Sequence, residues 1–118
     1  MYGQILVLRR KWEDSVNSHS ISDILKCYED EAIFKGTISN QFTTRKQDIR
    51  QYFENIISKN VSVRFIGTPT VKKIGGTYMD YGNYEFCVDH QTVRAKFCFV
   101  YTDSSNPKIS SHISFKSL

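Results

Sequence analysis

The stretch IRQYFENIISKNVSVRF, residues 49–65, changes period in its middle, and that change decides the fold. Ile49, Tyr52, Phe53, Ile56 and Ile57 recur at helical spacing and fall on one stripe. From Val61 the pattern alternates, with Val63 and Phe65 separated by Ser62 and Arg64, the period of a strand with one buried face. Thr44 followed three places later by Gln47 is a capping-box signature. The reading predicts a helix over 45–58 and then the first long strand of a sheet.

Upstream of this junction the chain reads as helical. Ile5, Leu8, Trp12 and Val16 predict an amphipathic helix over about 4–18. Ser20 can cap a second helix with Asp23 in its first turn. Its stripe is Ile21, Ile24, Leu25 and Tyr28, and it is expected to end near Asp30, ahead of the short apolar run Ala32-Ile33-Phe34. Downstream, every segment reads as strand. Val61–Phe65 and Thr70–Ile74 flank the break Gly67-Thr68-Pro69, and Gly75-Gly76 marks a turn into Tyr78–Val88. Asp89-His90-Gln91 reads as a hairpin connection into Val93–Tyr101. Asp103–Pro107 is a turn into a last strand, Ile109–Phe115, with Ile109, Ser111, Ile113 and Phe115 on one face. Helices placed ahead of a run of hairpin-joined strands define an α+β architecture. A long curved antiparallel or mixed sheet wrapped around about three N-terminal helices makes a cone with an open mouth.

Composition narrows the class. The 118 residues, 40% hydrophobic and 24% charged, fit one globular domain over 1–118. Aromatics reach 14%, which fits either a ring-rich core or a cavity with aromatic walls. The net charge of +4 is scattered over groups such as Arg9-Arg10-Lys11 and Lys72-Lys73, without a nucleic-acid-binding motif, so no nucleic-acid partner is expected. Cys27, Cys87 and Cys98 make neither a disulfide framework nor a zinc site and point to a reducing compartment. Ile5-Leu6-Val7-Leu8 is too short for a signal core and no segment has the length of a membrane span, so a cytoplasmic protein without membrane contact is expected. There is no phosphate-binding glycine loop, dinucleotide fingerprint or metal-ligand spacing, and no cofactor is expected.

Several segments, in order along the chain, resemble the recurring motifs of one group of small proteins. Trp12-x-x-x-Val16 with Cys27-Tyr28-Glu29-Asp30-Glu31-Ala32-Ile33-Phe34 resembles the opening "W…aL…LYADDAVL", and Gly36–Asn40 the loop "PTLSN". Ile49–Glu54 resembles "IRDYFEHFL", and Gly76-Thr77-Tyr78 with Tyr84-Glu85-Phe86 resembles "GTYTF". Val93–Tyr101 is similar to "VPARYTFVY" and Ser111–Ser114 to "SHHS". Two departures stand out: Asn106-Pro107-Lys108-Ile109 replaces the "DGRWLI" turn, and Ile113 stands where the second His of "SHHS" would be. Together these segments resemble the nuclear-transport-factor-2-like (SnoaL-like) superfamily, in its branch of small bacterial proteins similar to the association domain of calcium/calmodulin-dependent protein kinase II, and the resemblance implies a cystatin-like α+β barrel.

Fold alone does not select a function. His112 is the candidate acid–base group, against the alternative of a structural histidine hydrogen-bonded at the sheet rim. Lys96 stands at the place of the Arg in "VPARYTFVY" and shares a face with Cys98; it either points inward to hold an acidic ligand or faces solvent between Phe97 and Phe99. Asp80 and Glu85 differ by an odd number and fall on opposite faces, which argues against a carboxylate pair. Trp12, Tyr28, Tyr52, Tyr84, Lys96, Cys98 and His112 form the candidate ligand pocket. The first expectation is a non-catalytic domain that self-associates, as a homodimer or larger assembly, through the outer sheet face with Phe97, Phe99 and Tyr101, and holds a small acidic or apolar molecule in the cone. The alternative is a small enzyme of the ketosteroid isomerase or polyketide cyclase type, with His112 transferring the proton.

Overall fold

The structure is a computed structural model that describes residues 2–118. Helices α1 (Tyr2–Asn17) and α2 (Ile21–Lys26) lead into strand β1 (Tyr28–Lys35), followed by helix α3 (Lys46–Ser58). Four strands then follow: β2 (Ser62–Ile74), β3 (Thr77–Val88), β4 (Gln91–Thr102) and β5 (Ile109–Lys116). They form one open, curved sheet in the order β1-β5-β4-β3-β2. All neighbours are antiparallel except β1 and β5, which run parallel. The predicted α+β cone is therefore present, with the three helices inside the sheet's curve and one core between them.

The core is apolar from both sides. Ile5, Trp12 and Val16 of α1, and Ile49, Phe53 and Ile56 of α3, are buried against Val63, Tyr84, Phe86, Phe97 and Phe99 of the sheet. The end of α1 also guards the β2 edge. The Asn17 side chain donates to the Val63 carbonyl at 3.0 Å and accepts the Val63 N–H at 2.7 Å, as a neighbouring strand would. Asp89 and His90, both at positive φ, make the two-residue turn joining β3 to β4.

Five local expectations are corrected. Helix α2 stops at Lys26, not near Asp30, and Tyr28 opens β1; a residue seven places into a helical stripe also points inward when it begins a strand beside that helix. Ser20 does cap α2, accepting the Asp23 N–H at 3.3 Å, but the capping box at Thr44 is absent. Arg45 is the N-cap of α3, and Thr43 organises the entry by accepting the Arg45 N–H and donating to Asp48. The break Gly67-Thr68-Pro69 does not separate two strands. It is a register shift between Ile66 and Thr70 within β2, where Gly67 takes a positive φ and the strand bends. Gly82 lies opposite, where a Cβ would come within 3.1 Å of the Pro69 Cα.

The last two corrections concern which side chains face the core. Phe97, Phe99 and Tyr101 point inward and are buried, so they cannot form an outer docking face. In β5 the register shifts opposite Val100 and Tyr101, at Ser110. That extra residue breaks the alternation, so Ile109, His112 and Ser114 face the core while Ile113 and Phe115 face out.

Candidate functional site

His112 lies at the centre of the cone, buried between two tyrosines. Tyr28, the first residue of β1, places its hydroxyl 2.8 Å from His112 Nδ1, and Tyr84 of β3 places its own 3.0 Å from Nε2. Trp12 Nε1–H donates to the Tyr28 hydroxyl at 3.0 Å. On the other side Thr37 bridges the Tyr84 hydroxyl, at 3.4 Å, and Ser114 Oγ, at 2.5 Å. Rings close around this chain: Phe99 stands 4.4 Å from the His112 ring centroid and Phe34 5.3 Å, while the Trp12 indole stacks on Tyr84 at 5.8 Å.

Hydrogen-bonding capacity sets the direction of the chain. Indole N–H is a donor only, so Tyr28 must accept from Trp12, and its own proton finds its acceptor in His112 Nδ1. His112 is then the Nε2–H tautomer and donates to Tyr84, whose proton goes to Thr37. Burial disfavours the charged imidazolium and lowers the His112 pKa from 6.5 to about 3. Burial likewise pushes the Tyr28 and Tyr84 hydroxyls up, so all three stay neutral across ordinary pH. Both ring nitrogens are engaged and the ring is sealed by aromatic neighbours. This arrangement fixes strands and helix relative to one another, and it leaves no face of the imidazole for a reacting atom.

Of the seven candidate pocket residues, the structure brings Trp12, Tyr28, Tyr84 and His112 together, and their side chains fill the cone's interior. Tyr52 sits apart at the rim, its ring packed on Gly36 and its hydroxyl 3.4 Å from the Ile38 N–H. Lys96 and Cys98 lie on the opposite face of β4, Lys96 exposed and bonded to Asn83 at 3.3 Å. The Phe97 and Phe99 neighbours take the inner face, so strand alternation sends Lys96 outward. Asp80 and Glu85 do fall on opposite faces. Asp80 is buried and makes a bidentate pair with Arg9 of α1, at 2.9 and 2.5 Å. Among the described residues, no three His, Cys, Asp or Glu side chains gather as metal ligands.

The outer face holds the residues that the reading missed. Tyr81, Cys98 and Ile113 stand in one register row across β3, β4 and β5. Met79 and Val100 make the row on one side, and Lys96 and Phe115 stand in the row on the other. Tyr81 is 42% exposed and Phe115 53%. At one end Glu85 is held by Arg64 at 2.6 Å and Arg94 at 3.2 Å, and these cations keep its carboxyl below the usual range. The signal lay in the sequence, because Met79, Tyr81, Cys98, Val100, Ile113 and Phe115 are apolar at positions alternating with the core. It could be read only once the bulge at Ser110 was known.

This geometry, a curved five-stranded sheet closed on three helices, is the nuclear-transport-factor-2-like or cystatin-like fold. A candidate calcium/calmodulin-dependent protein kinase II association domain from Xanthomonas campestris superposes with a TM-score of 0.84 at 21% identity, covering 97% of this chain and 86% of its own. A nuclear-transport-factor-2-like protein of unknown function from Pseudomonas putida gives 0.80 at 14% identity, over 96% and 84% of the two chains. A ketosteroid isomerase-like protein from Erwinia carotovora atroseptica gives 0.74 at 9% identity, over 97% and 94%. No family model matches the sequence, and no curated protein matches it. No helix among the described residues is long and apolar enough to cross a membrane.

Proposed function

We propose that this chain is a non-catalytic self-association domain, whose occupant on the outer sheet face is a second copy of the same chain. The observation that carries the reading is the row Tyr81–Cys98–Ile113, flanked by Val100 and Phe115 and bounded by the Arg64–Glu85–Arg94 cluster. An apolar centre with a charged rim is the anatomy of a protein interface. The five strands have 8, 13, 12, 12 and 8 residues, and at about 3.3 Å per residue and about 4.8 Å between strands the sheet face covers roughly 800 Å², close to the ~800 Å² per partner of a stable interface. The likeness in fold to a candidate association domain from Xanthomonas campestris supports the same reading. The free thiols of Cys27, Cys87 and Cys98 fit a cytoplasmic setting.

The cone interior supports neither a ligand nor proton transfer as the main role, because its own side chains occupy it and His112 has both nitrogens bonded. The proposal is tested by sedimentation equilibrium of two charge insertions. Ile113→Lys, on the outer face, is expected to yield a folded monomer, while Asn55→Lys, on the exposed side of α3, keeps the wild-type dimer. Dimers of equal strength in both variants would sink the outer-face interface.

A further inference from the structure

A second site lies on the helical side of the molecule, away from the proposed interface. The end of β4, the turn into β5 and the first two helices enclose a cavity of about 70 Å³. That is room for two waters or one small oxyanion. Part of its wall is held by packing and hydrogen bonding: Pro107 and Ile109 are buried, and the Ile109 N–H donates to the Cys27 carbonyl at 2.8 Å. Three lysines line it, Lys11 of α1, Lys26 of α2 and Lys108 of the turn, and no Asp or Glu does. Among the described residues none of these three makes a salt bridge.

Tyr101 also lines this cavity and is 1% exposed. Its hydroxyl is buried without any hydrogen-bond partner. A buried hydroxyl left unpaired costs about 1–3 kcal/mol, so such groups normally have a partner. Three lysines without a salt-bridge partner and an unpaired buried hydroxyl, all among the residues of one cavity wall, describe the complement of a small anion.

We propose that this cavity binds a small oxyanion, a phosphoryl or carboxylate group, through Lys11, Lys26 and Lys108, with Tyr101 donating its hydroxyl proton. The remainder of such a ligand extends to solvent past the two exposed lysines on α1 and α2. The site is independent of the proposed self-association, since it lies across the helices from the outer sheet face.

Titration of the wild-type protein at constant ionic strength with sodium phosphate, and separately with sodium acetate, tests this by 1H–15N NMR. Saturable shifts confined to the amides around Cys27, Lys108 and Ile109 are expected. Saturation by phosphate alone assigns a phosphoryl group, and by acetate alone a carboxylate. Lys108→Gln and Tyr101→Phe are each expected to weaken binding about tenfold, the loss of one charge-assisted hydrogen bond. Tyr101→Phe is also expected to melt no lower than wild type, because it removes an unpaired buried group. Shifts that drift without saturating for both anions would mean that the cavity holds water alone, and would overturn the site. Unchanged affinity in either variant would overturn its assigned role.

Discussion

His112 shows how one residue type can carry opposite functions according to its surroundings. A histidine exposed at a pocket mouth titrates near neutrality and moves protons. Here two tyrosines and a ring of aromatics hold it neutral, with its folded pKa near 3 against 6.5 in the unfolded chain. The unfolded state therefore takes up a proton that the folded state refuses. The stability that depends on neutral His112 is complete above pH 6.5 and falls as the pH drops toward 3, by on the order of 5 kcal/mol at the lower limit. Urea unfolding from pH 7 to pH 4 should follow this slope in the wild type, and a His112→Gln variant, weaker at pH 7, should lack that part of it. An equal slope in both would assign the acid sensitivity to other groups. His112, Trp12, Tyr28 and Tyr84, four of the seven residues that the sequence offered as a pocket, lie together in the structure. The sequence could not say that the site is filled, because side-chain volume inside a cone depends on how far the sheet closes.

At the scale of elements, the strands were legible and their irregularities were not. Alternation and turn residues located β3, β4 and β5 closely, since two-residue turns and Asp-Ser-Ser-Asn-Pro leave little freedom. The bend in β2 and the bulge at Ser110 are set by the sheet's need to curve around the helices, a tertiary demand that local pattern does not record. Contacts between elements follow the same rule. Gly36, just after β1, accepts the Tyr52 ring of α3 against its backbone, where a Cβ would overlap it. Gly36→Ala should lower stability by about 1–3 kcal/mol, and Tyr52→Leu in the same chain should recover part of the loss. Strictly additive effects would show that the ring and the glycine do not compete for space. The Arg9–Asp80 pair ties α1 to β3 beneath the sheet. Asp80→Ala leaves the Arg9 guanidinium, 12% exposed, without its partner and should cost about 3–5 kcal/mol in thermal or chemical unfolding. A loss below about 1 kcal/mol, the range of an exposed pair, would mean that water replaces the carboxylate.

For the whole molecule, the same alternation that fills the core also loads the opposite face. Phe97 and Phe99 inside imply Cys98 and Val100 outside, and the bulge in β5 brings Ile113 and Phe115 into register with them. The sequence reading put Phe97, Phe99 and Tyr101 on the outer face, and all three are buried, because parity within a strand does not reveal which side the helices will cover. Multi-angle light scattering of the wild-type protein on a sizing column tests self-association most directly. A species of twice the 13.7 kDa chain mass, persisting on dilution, is the expected result. A single peak at 13.7 kDa at every concentration would contradict it, leaving the row of Tyr81, Cys98 and Ile113 exposed to water with no second copy to cover it.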